Sequence, residues 1–334
     1  MNQYLGILGA KYLGIRRPLF VSWMITDRCN LHCPGCSRND GPLGHAQAAV
    51  VERLFSNTVP GMKVNLTGGE PLIHPMIGDI VDGLKKRGAR VTMNTNGLLA
   101  VKMKDILSKL DRVSISLDGR RNTHDKTHGD GAWDAAVKAM EMLRTLGTPF
   151  RMICTLCADT NRDDVDGILN LSESLGTTAI FQPGQTFALG SCRKNPEAPE
   201  PAKCVELLRH IAARKAAHPH IVMNSAAGLA HLMKWPGDTV IPCGAGRFFC
   251  RIDPAGAVFS CSNCTTKTPS IGSIMEDDLK AILMKAGPVS CAQCWCGDRV
   301  EANLIYNFNL AALLNFMQTG RRIRKSSKSD KSNR

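Results

Sequence analysis

The sequence predicts an α/β fold built on a parallel sheet, with a small cysteine-rich domain after it. Two observations carry this. Strand-like apolar runs alternate with amphipathic, helix-like stretches through the first half of the chain, the pattern of repeated β-α units. Of the fourteen cysteines, three crowd between 29 and 36 and seven fall between 243 and 296. At 334 residues and 43% hydrophobic composition, the chain can bury a large core and hold a second, smaller unit.

The strand-like runs are 21–26, 63–67, 90–95, 112–118, 149–156 and 178–182. The amphipathic stretches between them are 45–57, 75–87, 100–110, 131–146 and 162–175. The first strand leads straight into Cys29-Asn30-Leu31-His32-Cys33-Pro34-Gly35-Cys36. The second ends in Thr67-Gly68-Gly69-Glu70-Pro71, the third in Asn94-Thr95-Asn96-Gly97 and the fourth in Ser116-Leu117-Asp118-Gly119. In βα barrels the chemistry collects at the carboxyl ends of the strands, where all four segments fall. The fifth strand has Arg151, Ile153 and Thr155 on one face and Met152, Cys154 and Leu156 on the other. Cys157 continues the first face just past the strand's end. Further on, 251–259 reads as a hairpin with a Gly turn, 277–285 as a helix and 304–317 as an amphipathic helix.

Three thiolates at Cys29, Cys33 and Cys36 are one short of the four that complete a 4Fe–4S cluster, so one iron is left open to a ligand. A structural zinc site needs a fourth local ligand, and the only one, His32, lies inside the loop. A disulfide framework needs an oxidising compartment. Residues 1–20 carry Lys11, Arg16 and Arg17 and no cleavage-site pattern, and no run approaches transmembrane length. The cysteines therefore read as cytoplasmic and metal-committed.

In this order, the triplet and the three strand-end motifs resemble the radical S-adenosylmethionine (SAM) superfamily over about 21–183, and a second signature continues the likeness to about 298. The resemblance implies a partial (β/α)6, TIM-like barrel over 20–235, then a small Cys-rich auxiliary-cluster domain over 236–303. An amphipathic extension (1–19) precedes them; a C-terminal helix (304–320) and a disordered basic tail (321–334) follow. It implies a SAM-binding 4Fe–4S cluster on Cys29, Cys33 and Cys36. SAM contacts are implied for Gly68, Gly69 and Glu70, for Asn94 or Asn96, and for Ser116 and Asp118. Without the resemblance, the same segments read as ordinary strand-to-helix turns. A family segment that usually ends His-Asp, two residues, Arg-Gly reads here His124-Asp125-Lys126-Thr127-His128-Gly129. With His128 in place of the Arg, Lys126 or Arg151 is the expected substitute.

Cys243, twelve residues, Gly256, four residues and Cys261 resembles the opening of the SPASM and twitch auxiliary domains. Cys291, Cys294 and Cys296 follow, but Val300 stands where the full SPASM pattern has its next Cys. The resemblance implies one auxiliary 4Fe–4S cluster on Cys243, Cys261, Cys291 and Cys294. A set drawing on Cys250, Cys264 and Cys296 competes with it, and a four-cysteine zinc ribbon has overlapping spacing.

The implied activity is reductive cleavage of SAM to methionine and a 5′-deoxyadenosyl radical, which takes hydrogen from a small-molecule or lipid-like substrate. A flavodoxin- or ferredoxin-type donor supplies the electron. The net reaction stays open among oxidation, decarboxylation, epimerisation and bond formation. Two other readings are carried. One is a peptide-modifying maturase with a separate leader-binding partner, since the twenty-eight residues before Cys29 leave no room for a leader-recognition or cobalamin-binding domain. The other is a non-catalytic iron–sulfur binding module. The tyrosines are Tyr4, Tyr12 and Tyr306, so none lies in the barrel. Cys157 is the candidate hydrogen donor, Cys192 its rival, and Cys154 an ordinary buried thiol.

Net charge is +13, and residues 321–334 hold seven basic side chains against Asp330. Such a tail suits an anionic membrane surface better than nucleic acid, and a merely solubilising role equally well. Tyr4, Leu8, Tyr12 and Ile15 give the amino-terminal stretch one apolar helical face, for capping the barrel or lying on a membrane. The expected location is the cytoplasm, with peripheral attachment to the inner membrane surface as an option.

Overall fold

The structure, a computed structural model, describes residues 19–36, 43–188, 193–239, 241–261, 269–287, 289, 291 and 293–329. Expectations for 1–18, Cys192, Cys264 and 330–334 lie outside the described residues.

The strands are β1 (Phe20–Thr26), β2 (Lys63–Gly68), β3 (Arg90–Thr95), β4 (Arg112–Ser116), β5 (Phe150–Leu156), β6 (Ala179–Pro183), β7 (Phe249–Ile252), β8 (Ala257–Phe259) and β9 (Gly272–Ser273). The helices are α1 (Ala48–Asn57), α2 (Ile77–Lys86), α3 (Lys104–Leu107), α4 (Arg121–His128), α5 (Ala132–Leu146), α6 (Arg162–Ser174), α7 (Pro201–Ala217), α8 (Ala226–Leu232), α9 (Leu279–Lys285), α10 (Gly297–Tyr306) and α11 (Leu310–Ser329). The six predicted strands stand within two residues of their expected bounds.

Strands β1 to β6 pair in parallel in chain order, and β7 pairs in parallel with the other side of β1. The hairpin β7–β8 turns at Gly256 (φ +88°), with Asp253 Oδ1 accepting from the amides of Ala255 and Ala257. The sheet therefore crosses the boundary expected at 236: β7, β8 and β9 extend the main sheet from the cysteine-rich end.

Strand parity divides the sheet's two faces. Val21, Trp23, Ile25, Val64, Leu66, Val91, Met93, Val113 and Ile115 turn outward into the apolar core with Leu54, Ile80, Leu84, Met140 and Leu143 of the helices. The inward positions are polar: Thr92 donates to Asn65 Oδ1 (2.8 Å), and Arg151 Nε to Ser114 Oγ (2.9 Å). An apolar outer face and a polar inner one make a wall around a site.

Three expectations change. Over 100–110 only Lys104–Leu107 is α-helical; the remainder is turns. The helix expected over 304–317 is broken, because α10 ends at Tyr306, Phe308 takes φ +57°, and α11 starts afresh at Leu310. The tail expected to be disordered from 321 continues α11 to Ser329, as suits a run of Arg and Lys, both good helix formers. Among the described residues no helix is long and apolar enough to cross a membrane.

Candidate active site

The cysteine loop is held by the motifs beside it. Gly69 and Glu70 donate their amides to the carbonyls of Thr26 and Arg28, both at 2.9 Å. A Cβ on Gly68 would sit 2.1 Å from the Thr26 oxygen, and one on Gly69 2.0 Å from the Arg28 oxygen. These two glycines thus answer to the close approach of two loops. Glu70 is buried, and its carboxylate accepts from Leu72 N, Thr95 Oγ1 and Asn96 N (3.1, 2.8 and 2.8 Å). Burial pushes its pKa up to about 7 against those three donors. Asn96 Nδ2 in turn donates to Asn30 Oδ1 at 2.8 Å, between the first two cysteines. Three sequence motifs are therefore one bonded unit.

Asp118, at the end of β4, accepts from Thr155 N and from His128 Nε2, both at 2.7 Å. His128 stacks on His124, and its Nδ1 lies 3.5 Å from Cys33 Sγ. Burial opposes charge on the His128 ring, but the bonds to Asp118 and Cys33 outweigh it and raise the ring to about 10. Asp118 is lowered: burial again opposes, and the His128 bond and charge prevail. His128 is thus itself the cation at the Arg position. Lys126 pairs with Asp159 (2.5 Å), and Arg151 with Ser114 and Asp298, so neither substitutes.

A cavity of about 430 Å³ opens over these residues. Its walls include Cys29, Cys33, Cys36, Gly68, Gly69, Glu70, Asn94, Asn96, Ser116, Asp118 and Cys157. Cys157 is 5% exposed, and burial drives its thiol pKa far up. Cys154 is fully buried in the outer core, as expected. The sequence reading missed Gln182, Asn195, Glu197, Arg251, Asp298 and Arg299, which also line the cavity. Asp298 and Arg299 carried one available signal, their place immediately after Cys296 at the start of α10.

At the far end, burial raises the Cys243 and Cys294 thiols, with smaller contributions from Cys261 and Cys291 on Cys243 and from Cys296, Cys261, Cys243 and Cys291 on Cys294. Cys296 lines the cavity. Cys250 is apart: it sits in β7 opposite Val21, fully buried in the apolar core.

The donor set fits the groups that the motifs imply. Cys29, Cys33 and Cys36 stand in one loop on the cavity wall. Burial pushes Cys29 up to about 11, and a bound cation would bring it down to the thiolate. Asn94 Oδ1 is buried on the cavity wall with no hydrogen-bond partner among the described residues, an acceptor waiting for a ligand's donor. At the C-terminal end, Cys243, Cys261, Cys291 and Cys294 offer the soft sulfur donors that an iron–sulfur centre takes.

Residues 23–171 match the family model described as Radical SAM superfamily, so the chain carries a radical SAM domain and is an enzyme using SAM and 4Fe–4S clusters. It is 27% identical over 281 residues to the mycofactocin maturase MftC of Mycobacterium ulcerans, covering 79% of this chain and 73% of that one. It is 28% identical over 274 residues to the AdoMet-dependent heme synthase of Methanosarcina barkeri, covering 73% and 76%. The crystal structure of Streptococcus suis SuiB bound to its precursor peptide SuiA aligns with a TM-score of 0.66 over 85% of this chain and 68% of that one. At 16% identity, that likeness is one of fold.

Proposed function

We propose that Cys29, Cys33 and Cys36 hold the SAM-binding 4Fe–4S cluster and that the enzyme abstracts hydrogen from a peptide. The observation that supports it most is the single cavity running from the three cysteines to Cys296 and Arg299. When bound there, the cluster would supply the one-electron reduction of SAM from which hydrogen abstraction follows. The chain's own residues position the reactants. Asn94 accepts from the nucleoside, and Asp118, fixed by Thr155 and His128, accepts from the ribose or amino-acid part. Glu70 locks the turn at Asn96 rather than touching SAM. Cys157, kept protonated by burial, retains the S–H hydrogen that a donor needs. Cys243, Cys261, Cys291 and Cys294 hold the auxiliary cluster, while Cys250 serves packing.

A peptide substrate is supported by the 27% identity to a named maturase and by a fold shared with an enzyme caught with its precursor peptide. A cavity of this size admits one or two side chains of a peptide, not a folded protein. The second reading, a small-molecule substrate, is favoured by the likeness to the heme synthase. Reconstituted enzyme under dithionite should form 5′-deoxyadenosine about tenfold faster with a peptide encoded beside its gene, and the peptide should change mass. Stimulation by no peptide, with turnover on a small molecule, would reject the peptide reading.

A further inference from the structure

A surface helix of a soluble domain turns its apolar stripe to the core and its polar side to water. Helix α11 does the reverse. Its buried positions are Ala312, Asn315 and Thr319, which share one side by helical spacing. Asn315 is bonded there: its Oδ1 accepts from Lys215 Nζ at 2.6 Å, and its Nδ2 donates to the Met223 carbonyl at 2.7 Å. Thr319 Oγ1 donates to the Asn315 carbonyl at 2.8 Å. These bonds fix which side of α11 meets α7 and the chain leading into α8.

The opposite side carries Leu310, Leu314 and Met317, one stripe at i, i+4 and i+7. They are 70%, 45% and 45% exposed, and Phe316, at 40%, is open beside them. Among the described residues, no other helix or strand exposes more than one large apolar side chain. Single exposed apolar residues are ordinary, whereas several on one face mark a surface that something covers. Charge indicates what. Residues 310–319 hold no charged side chain. The helix then runs on through Arg321, Arg322, Arg324, Lys325 and Lys328 to Ser329, and no acidic residue stands between Glu301 and Asp330. An apolar stretch joined to a basic one in a single helix suits a lipid interface, with the apolar side chains at the acyl boundary and the cations among anionic headgroups.

From this outward apolar stripe and the basic run that continues it, we infer that α11 lies on the surface of an anionic bilayer, seating Leu310, Leu314 and Met317 below the headgroups. No carboxylate on the helix opposes the approach. Attachment of this kind is reversible and needs both parts, because a few inserted side chains or a few cations alone hold a protein weakly. The inference stands apart from the proposed function: none of these side chains lines the cavity, so the substrate is free to be a peptide or a small molecule.

The test uses the full chain with its clusters reconstituted, and vesicles either of phosphatidylcholine alone or with about 30% phosphatidylglycerol. Cosedimentation should show binding at least about tenfold tighter to the anionic vesicles, weakening as salt is added. Leu314→Gln with Met317→Gln should weaken that binding by about a further tenfold, while iron content, thermal melt and 5′-deoxyadenosine formation stay as they were. Replacing Arg321, Arg322 and Arg324 with Gln should remove most of the preference for anionic vesicles. Insertion is read separately, with a variant that keeps the face apolar: brominated phosphatidylcholine in the anionic vesicles should quench Leu314→Trp more than it quenches the unaltered chain. Binding that the Gln pair leaves unchanged overturns the inference, because the basic run alone then makes the contact. So does the absence of binding to either vesicle, or of added quenching in Leu314→Trp. A dimer in sedimentation equilibrium that the Gln pair dissolves overturns it too, since a second copy of the chain would then cover the stripe.

Discussion

The two cysteine regions differ in what holds them. The loop of Cys29, Cys33 and Cys36 hangs from β1 and is clamped by the amides of Gly69 and Glu70, by Asn96 and by the Asp27 carboxylate, which accepts from Leu43 N and Gly44 N. The C-terminal thiols come from separate segments. Cys243 Sγ takes Ala245 N at 3.4 Å and Asn303 Nδ2 at 3.7 Å, and Cys291 is exposed. The sheet builds the first site before any metal arrives. On the ligand set proposed above, metal would staple the second, and there metal binding would be folding free energy.

The largest effects test that contrast. Replacing Cys29, Cys33 and Cys36 with Ala should abolish 5′-deoxyadenosine formation and take iron from about eight to about four atoms per chain. The melting temperature should hardly move; a collapsed barrel would show that this loop, too, depends on metal. Removing iron with a chelator should open 243–296 to protease while the β1–β6 region stays resistant, and uniform cleavage would erase the distinction. Cys250→Ala should leave iron content unchanged and cost about 1 kcal/mol of stability, the price of a small core truncation.

Within the preformed site, Asp118→Asn should act next. It leaves His128 as a buried cation without its partner, which costs about 3 kcal/mol. SAM binding should weaken with it, while auxiliary iron stays. Full stability and full SAM affinity, by denaturant titration and calorimetry, would show that the His128 pair is dispensable.

How much of this was legible in the sequence follows the same divide. The parallel strands and the residues at their carboxyl ends were readable because period and local turn chemistry set them. Glu70 and His128 were legible as positions, but their roles depend on contacts across the sheet, to Thr95 and Asn96 and to Asp118 and Cys33. Arg251 was invisible. It enters the cavity only because β7 pairs with β1, a contact between residues more than two hundred positions apart. Cys250 looked like a ligand by spacing, yet strand parity turns it into the core. The break between α10 and α11 turns on the single left-handed residue Phe308, which hydrophobic periodicity does not register.

The smallest predicted effect concerns α10, the joint between the two regions. Its Glu301 accepts from Ser225 N at 2.8 Å and Ser225 Oγ at 3.1 Å, at the start of α8, and burial pushes its carboxyl up to about 7. The folded chain therefore holds this proton more tightly than the unfolded chain, whose ordinary value is 4.5. By linkage, the stability contributed by the protonated group is fully present below the unfolded value and is lost as pH rises through about 7. Glu301→Gln keeps an acceptor for Ser225 and has no proton to lose. Thermal melts from about pH 5 to 8 should show the unaltered protein losing stability relative to the variant, most steeply on the approach to neutrality. Parallel curves would mean that Glu301 stays ionised, held by its two Ser225 bonds and by Lys215. Following the same titration by proteolysis at 243–296 sharpens the comparison. If only that segment loosens as pH rises, α10 belongs energetically to the metal-stapled region. If the barrel melts with it, α10 is part of the preformed one.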